Sequence, residues 1–289
     1  MSKYLVIPHL AARHINLVQG NVAVSPHSLT AMALFVHALG LKTGGIHAEA
    51  FAVVQHDAWL DADYLEGSKD GERQAGYAAW QRRGASLIGM KDYSSKAEGH
   101  PVLSLQPVIT GNLEFSLVLR YGAEAPSADA VRRFLDTARF QGGTIDGVGR
   151  IRDFDSESSV LRYLRTGKWI VDRRDLLEAS ADPLRDLLAF CALRERETVE
   201  EDAYPVLWSS ATVGYAFLTE PAFLAGARSS DAGPVPSGFA EAMTGLIGLY
   251  SVHDARITEI PFWESGFVQD DVFLVRGTTL ITEKEEVEI

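Results

Sequence analysis

A nine-residue stretch near the middle of the chain, LEFSLVLRY at positions 113–121, carries the clearest strand pattern in the sequence. Its odd-numbered residues are all apolar, whereas Glu114, Ser116 and Arg120 at even positions are polar. Alternation of this kind is typical of a strand with one buried and one open face. A Pro-Ser pair follows, and apolar residues then recur at helical spacing up to position 138, which predicts a helix.

Further short elements flank this strand and helix. Apolar runs predict three more strands, at residues 4–7, 50–54 and 169–171. Pro8 predicts the end of the first strand, and helical spacing between Ser25, a candidate N-cap, and Gly40 predicts a helix. The order strand, helix, strand, strand, helix, strand is the split βαβ pattern. We therefore predict an α+β protein with a ferredoxin-like, RRM-like βαββαβ core over residues 1–175.

Two regions lie outside this pattern. Residues 60–111 are rich in glycine and charge without a clear period, which predicts a long insertion with a short helix near 77–83. Residues 176–289 predict an additional C-terminal α/β region packed on the core, since no linker marks it as an independent domain. Its predicted elements are a helix at 173–196 interrupted near Pro183, strands at 206–208, 213–218, 256–262 and 272–276, and a helix at 239–250.

Composition is typical of an ordinary globular protein of the cytoplasm, with 46% hydrophobic and 23% charged residues. The longest apolar run, residues 29–41, is too short to cross about 30 Å of hydrocarbon, and the first residues do not resemble a secretory leader. A single cysteine, Cys191, excludes an internal disulfide. We expect a cytoplasmic protein that does not associate with membranes.

The formal net charge of −12 opposes nucleic-acid binding, because Lys and Arg carry most phosphate contacts. The charge is unevenly distributed, however. Residues 132–174 hold ten basic and six acidic residues, a net +4, so the remainder of the chain carries −16. Nine of those ten are arginines, whose planar guanidinium groups bind phosphate and stack on bases. The segment is therefore either an RNA-binding surface or a solvated face.

A glycine-rich loop inside this segment is the first candidate RNA site. It begins with Gly142 and Gly143, where the absence of side chains lets the backbone approach phosphate or ribose. Three arginines flank the loop: Arg139, Arg150 and Arg152. They would surround one stretch of RNA backbone, unless they are simply solvent-exposed. The loop lacks the Lys-Ser/Thr pair of a P-loop, so no triphosphate site is predicted.

Other candidate RNA contacts lie elsewhere in the chain. Ser25 and His27 precede the first helix, where free N–H groups attract phosphate, although Ser25 is equally plausible as a plain N-cap. His37 lies on the apolar side of that helix, and we expect it in the core. The remaining candidates are Arg162 and Arg165, Arg173 and Arg174 at a strand end, and Arg228 in a loop.

Several segments, in the same order along the chain, resemble the Csy-two (Cas-five) subunits of type I-F CRISPR surveillance complexes. They are LVIP at 5–8, VSP at 24–26, ALFVHAL at 33–39, GNLEFSL at 111–117, ARFQGGTI at 138–145, GKWIVDRRDL at 167–176, VGYA at 213–216, AR at 227–228, FAE at 239–241 and FW at 262–263. Residues 47–100 match no segment of that family. The ordered set carries the resemblance.

This resemblance implies a non-catalytic, RNA-binding subunit of a type I-F Cascade ribonucleoprotein in antiviral defence. Such a subunit holds the 5′ handle of the guide RNA (crRNA), pairs with the large subunit and contacts the backbone subunit, and target DNA is reached through the complex. The resemblance implies no reaction, no cofactor and no metal. It leaves open whether this subunit also contacts the target duplex.

The histidines suggest a second hypothesis, a metal-independent endoribonuclease that processes CRISPR repeat RNA, as some Cas-five relatives in other subtypes do. Candidates for its general acid and base are His9, His14, His56 and Tyr4. The acidic residues that follow His56 match no metal-ligand spacing, so no metal site is predicted. A third hypothesis is a ferredoxin-like scaffold protein that binds no RNA.

Overall fold

The computed structural model describes residues 2–18, 24–64, 68–69, 72–73, 78–80, 109–192, 206–223, 229–230 and 233–278 of the 289-residue chain. Within these residues the fold is α+β and strands predominate. Eleven strands join one large antiparallel sheet. None of the described helices is long and apolar enough to cross a membrane.

The strands are β1 (Lys3–Asn16), β2 (Ala50–Leu60), β3 (Ala62–Tyr64), β4 (Ser68–Lys69), β5 (Glu72–Arg73), β6 (Ala78–Trp80), β7 (Thr110–Tyr121), β8 (Arg139–Phe140), β9 (Gly143–Gly147), β10 (Arg152–Phe154), β11 (Lys168–Asp172), β12 (Leu207–Phe217), β13 (Ser229–Ser230), β14 (Gly233–Pro234), β15 (Ala240–Ser251), β16 (Trp263–Gln269) and β17 (Val272–Gly277). The helices are α1 (Leu29–Lys42), α2 (Ala128–Leu135), α3 (Glu157–Tyr163), α4 (Arg174–Glu178) and α5 (Pro183–Ala192).

β1 is the central strand of the first half of the sheet. It pairs with β7 on one side, and β7 in turn pairs with β2. On its other side β1 pairs with β9 near its end and with β10 near its start. Between these two pairings the Gly149 N–H donates to the Pro8 carbonyl at 2.8 Å. Residues 143–154 therefore form one interrupted edge strand, and the order β2, β7, β1, β9 is antiparallel throughout.

The prediction that the first strand ends at Pro8 is wrong, because β1 continues to Asn16. The register with β7 shifts between Ile7 and Leu10, so Pro8 lies in a β-bulge. A bulge leaves its extra residue outside the regular ladder, and a proline is tolerated there because it has no N–H to donate.

The first predicted helix forms as α1, but it starts later than expected. Ser28, not Ser25, is its N-cap, and the Ser28 hydroxyl accepts a hydrogen bond from the Ala31 N–H at 3.1 Å. The helix packs its apolar side on the sheet, whereas His37 is exposed and stacks on His47 with ring centroids 5.1 Å apart. The expectation of a core histidine at position 37 is therefore wrong.

The second predicted helix is confirmed as α2, with Ser127 as its N-cap. It ends at Leu135, well before Gly142, because residues 139–147 form the β8–β9 hairpin that pairs with β1. The helix predicted over residues 173–196 is present as two helices, α4 and α5, and Pro183 begins the second.

Other predictions for the strands and helices need correction. A helix was predicted at residues 239–250, where the structure has β15. Ile247 and Leu249 of β15 face one core, and Leu246 and Tyr250 face another, so the strand is apolar on both sides. Periodicity does not distinguish such a strand from a buried helix. β12 is one strand rather than two, β16 replaces the strand predicted at 256–262, and β6 lies within the helix predicted at 77–83.

The second half of the sheet is continuous with the first through β2. Val54 of β2 pairs with Trp169 of β11, and Phe51 pairs with Trp263 of β16. Since β11, β15, β12, β17 and β16 also pair in that order, the strand pairings close into a ring that includes β2.

Two apolar cores lie on opposite faces of the sheet. One, which includes Leu5, Leu10 and Phe115, is covered by α1 and α2, and we call this side the helix face. The second contains Tyr4 and Val6 with residues of α3 and α5. This second face, which we call the open face, exposes polar side chains farther along β1, where His9 and His14 are about half exposed, with relative accessibilities of 51% and 52%.

Candidate nucleic-acid interface

Two histidines of β1 have an unusual backbone conformation. His9 has φ 51° and His14 has φ 53°, and each lies where the register between β1 and β7 shifts. Positive φ is uncommon in residues other than glycine, and such strain is concentrated at functional sites. The open face of β1 is therefore a candidate functional site.

The two histidines are held in the same way. The His9 N–H donates to the Ser116 hydroxyl at 3.1 Å, and the His14 N–H donates to the Asn112 side-chain oxygen at 3.2 Å. Each bulge therefore has its N–H bound by a polar side chain of β7, which explains why the strained conformation is stable.

A carboxylate orients each of these rings. His9 Nδ1 lies 2.7 Å from Glu114 Oε1, and His14 Nδ1 lies 2.8 Å from Asp61 Oδ2. Burial raises the pKa of Asp61, but its hydrogen bonds from His14, Thr110 and Asn112 outweigh burial and bring that pKa below its usual value. Asp61 is therefore ionised at neutral pH and holds the His14 ring.

His56 of β2 completes the first of these sites. Its ring stacks on His9 with centroids 4.0 Å apart, and its Nε2 lies 2.6 Å from the Ser116 hydroxyl. Burial and the neighbouring His9 lower the pKa of His56 to about 4, although Glu114 opposes them. The His56 imidazole is therefore neutral at neutral pH.

Planar side chains continue along the same face. The Arg13 guanidinium lies 4.6 Å above the ring of Trp59, which is 40% exposed, and Arg13 also approaches Asp146 at 3.8 Å. Imidazole, indole and guanidinium planes are the groups on which unpaired bases stack. We call His9, His56, Arg13 and Trp59 the stacking surface.

Predicted RNA-binding residues flank this surface. Directly opposite residues of paired strands share a face, and Arg139 is opposite Thr144, which is opposite Arg13. Arg152 is likewise opposite Val6, which belongs to the core of the open face. Both arginines are exposed, and Arg152 lies 5.2 Å from the Tyr163 ring.

The glycines of the predicted loop have different roles. Gly142 has φ 80° and open space around it, and its carbonyl accepts a hydrogen bond from Arg139 at 3.4 Å. At Gly143 a side chain would come within 2.2 Å of the Arg13 carbonyl oxygen, so glycine is required there by close packing against β1. Arg150 and Arg162 are exposed after this loop, and Arg162 donates to Ser159.

Ser25 and His27 lie in a buried cluster on the helix face. The Ser25 hydroxyl donates to the Ser210 carbonyl at 2.7 Å, and His27 Nδ1 lies 3.1 Å from Ser209 Oγ. His27 Nε2 contacts the Gln55 side chain. Burial lowers the pKa of His27 to about 4 despite this hydrogen bond. These contacts fix the segment before α1 against β12 and β2.

Arg173 and Arg174 belong to ion pairs in the second half of the fold. Arg173 is 1% exposed, pairs with Asp175 at 3.0 Å and donates to the Tyr250 hydroxyl. Arg174 pairs with Asp172 at 3.1 Å, and Asp172 also accepts from the Gly277 N–H. Arg165 is exposed, and its carbonyl accepts from His253. Arg228 lies outside the described residues.

The structure thus brings Arg139, Gly142 and Arg152 to the open face. It separates them from Ser25, His27 and Arg173, which are buried. The sequence suggested His9, His14 and His56 only as catalytic groups, and it predicted no role for Arg13, Trp59 or Asn112. The available signal was the row of polar residues at 112, 114 and 116 in an otherwise apolar strand.

Among the described residues, no group of three or more His, Cys, Asp or Glu side chains is arranged to hold a metal ion. The polar groups of the open face instead hold one another, as the His9–Glu114 and His14–Asp61 pairs show. The sequence matches no protein-family model and no curated protein.

Proposed function

We propose that the open face binds single-stranded RNA, and that the protein is a non-catalytic subunit that holds the 5′ handle of the guide RNA in a type I-F CRISPR Cascade complex. The observation that supports this most directly is the stacking surface, where three aromatic rings and a guanidinium lie on an exposed strand face. Bases that stack there would have their phosphates near the exposed Arg139 and Arg152.

The strand order supports a ferredoxin-like core for this proposal. The order β2, β7, β1, β9 with α1 and α2 on the helix face fits a βαββαβ arrangement. RNA-recognition modules with this arrangement place unpaired bases on the sheet face that the helices leave open. The stacking surface lies on the face opposite α1 and α2, farther along β1 than the core that α3 and α5 cover. The segments that resemble the Csy-two (Cas-five) family point to the guide RNA as the ligand.

Charge limits how tightly the isolated chain can bind. The net charge is −12, and Glu114 and Asp61 lie within the proposed interface. Stacking therefore contributes more than phosphate contacts, and we propose that the large and backbone subunits hold the guide RNA together with this protein. In this proposal target DNA is contacted through the assembled complex in the cytoplasm.

Titration of a fluorescent single-stranded RNA with the full chain, followed by anisotropy, tests the interface. Trp59→Ala should weaken binding by about tenfold, since one stacked base contributes roughly 1–3 kcal/mol. Leu188→Ala is the matched control, because Leu188 is exposed but lies on α5. Equal RNA affinity of Trp59→Ala and wild type would exclude the stacking surface as the RNA-binding site.

A second titration addresses the guide RNA itself. The full chain should bind an RNA with the repeat-derived 5′ handle more tightly than a scrambled RNA of equal length, and co-expressed Cascade subunits should retain it with the guide. Equal binding of both RNAs would leave the surface in place but contradict the assignment to a 5′ handle.

One observation favours a second function, the metal-independent endoribonuclease. The stacked rings of His9 and His56 place two imidazoles side by side, and Glu114 orients His9. In this mechanism His56 would accept the proton of a ribose 2′-hydroxyl and His9 would donate a proton to the leaving 5′-oxygen. The 2′-oxygen would attack the adjacent phosphorus, giving a 2′,3′-cyclic phosphate and a 5′-hydroxyl. Cleavage of repeat RNA in EDTA that His56→Ala abolishes would establish this function over simple binding.

A further inference from the structure

Four aromatic side chains form a cluster on β12, β16 and β17. Tyr215 stacks on Phe273 with centroids 5.2 Å apart, and Phe267 contacts Phe273 edge to face at 5.4 Å. Phe217 packs on Tyr215 at 5.4 Å. Phe267 is 59% exposed, so one end of the cluster is open to solvent. Exposed apolar surface that is contiguous in this way is typical of interaction sites.

Within the part of the chain that the structure describes, one edge of the strand that carries Phe267 is unpaired beyond Trp263. β16 pairs with β17 along one side, whereas on its other side the described residues provide one pairing, Trp263 with Phe51 of β2. Residues 264–269 are exposed or half-buried. An open strand edge offers backbone N–H and C=O groups to an added strand, and the bulge between Phe267 and Gln269 limits the regular edge to about five residues.

Carboxylates surround this edge. Asp270 and Asp271 form the turn between β16 and β17, and neither has an ion-pair partner among the described residues. Glu264 begins the free edge, where it accepts from Arg120 at 2.9 Å. Arg276 of β17 is exposed and directly opposite Glu264, so the unpaired negative charge lies at the other end of the edge, at the Asp270–Asp271 turn. Unpaired carboxylates repel phosphate, which disfavours a nucleic acid at that end.

We infer that the free edge of β16 binds an extended segment of a protein partner in which apolar and basic residues alternate. The added strand would extend the sheet by main-chain hydrogen bonds. Because successive side chains point to opposite faces, its apolar residues would lie on the face of Phe267 and its Lys or Arg residues on the other face. The basic residues nearest the Asp270–Asp271 turn would meet the two carboxylates there. This inference does not depend on the RNA-binding proposal.

A labelled nine-residue peptide of alternating valine and lysine is the probe, titrated with the full chain and followed by anisotropy. A peptide of alternating valine and glutamate should bind about tenfold more weakly or not at all. Phe267→Ser should weaken binding of the valine-lysine peptide by about tenfold. Leu184→Ser is the matched control, since Leu184 is 63% exposed on α5, and it should bind as wild type does.

Amide hydrogen exchange on the wild-type protein locates the peptide without any substitution. Exchange at residues 264–268 should slow when the peptide binds. Absence of binding, equal binding of both peptides, or no protection of β16 would each overturn the inference. Displacement of the peptide by single-stranded RNA would also overturn the inference, because the edge would then bind RNA. A wild-type dimer that Phe267→Ser dissociates would overturn it too, because the edge would then bind a second copy of the chain.

Discussion

His9 and His56 stack with their ring centroids 4.0 Å apart although a third strand, β7, lies between the strands that carry them. They meet above Ser116 of β7, whose hydroxyl accepts from the His9 N–H and lies 2.6 Å from His56 Nε2. The small side chain at position 116 leaves room for this contact. His9 lies at the register shift between Ile7 and Leu10 of β1, and His56 lies at a second shift, between Gln55 and Asp57 of β2.

Ser116→Ala should therefore lower the free energy of unfolding by about 1–2 kcal/mol, because two hydrogen bonds at a fully buried position are lost. Urea unfolding at neutral pH measures this change. Ser265→Ala, at an exposed position of β16, is the control and should unfold as wild type does. A wild-type midpoint for Ser116→Ala would contradict the bridging role of the hydroxyl.

Acid should destabilise the protein between about pH 6.5 and pH 4. Burial lowers the pKa of both His27 and His56 to about 4, so between these values the unfolded chain binds protons that the folded chain does not. The free energy of unfolding is highest above pH 6.5 and decreases as the pH falls toward 4. The fully buried His27 accounts for a decrease of about 3 kcal/mol. Urea unfolding at pH 7 and pH 5 measures the difference. His27→Gln should make the free energy of unfolding depend less on pH. An unchanged pH dependence would contradict the role assigned to His27.

Two adjacent glycines should differ in their response to alanine. Gly143→Ala places a side chain against the Arg13 carbonyl oxygen, and we expect a loss of at least about 2 kcal/mol. Gly142→Ala meets open space but strains the backbone at φ 80°, which costs about 1 kcal/mol. Thermal unfolding of both variants tests the order, and a reversed order would argue against the β9 packing described above.

Arg173 and Arg152 should separate stability from binding. Arg173→Ala removes the partner of Asp175 and Tyr250 from a buried site and should cost at least about 2 kcal/mol of stability. Arg152→Ala, at an exposed position, should unfold as wild type does but bind RNA more weakly. Urea unfolding and RNA anisotropy on both variants provide the comparison. An RNA-binding defect in a fully folded Arg173→Ala protein would be inconsistent with its buried position.

Joint replacement of Arg139, Arg150 and Arg152 by alanine should reduce the salt dependence of RNA binding. Each phosphate contact on single-stranded RNA contributes about −0.7 to the slope of log K against log salt, so three contacts change it by about 2. Anisotropy between low and moderate salt gives the slope. Replacement of Arg132, Arg133 and Arg185, on helices away from the stacking surface, is the control. An unchanged slope would remove these residues from the interface.

Elements with a clear polar–apolar period, and short apolar runs that are typical of strands, were predictable from the sequence, whereas a long apolar run was not. β7 has a clear period because the polar residues Asn112, Glu114 and Ser116 alternate with apolar ones, and α2 has one because one of its sides meets solvent. Both were predicted close to their observed positions. β15 is buried on both sides, and its continuous apolar run was mistaken for a helix.

The candidate site could not be predicted from the sequence because of the β-bulges in β1. His9 and His14 interrupt the alternation of β1, so a strand that continues past Pro8 has no regular period to detect. The residues that meet there come from three strands, and His14 and Asp61 are 47 positions apart. Only the register of those strands brings them together, and the register depends on the bulges rather than on local propensity.

The strand shared by both halves links two distant surfaces. β2 carries His56 and Trp59 at one end and, through Phe51, is joined to β16 at the other. A protein that adds a strand at β16 would therefore restrain the same backbone that supports the rings of the proposed RNA interface. Under both proposals the two binding events would be thermodynamically linked, so each ligand would raise the affinity for the other.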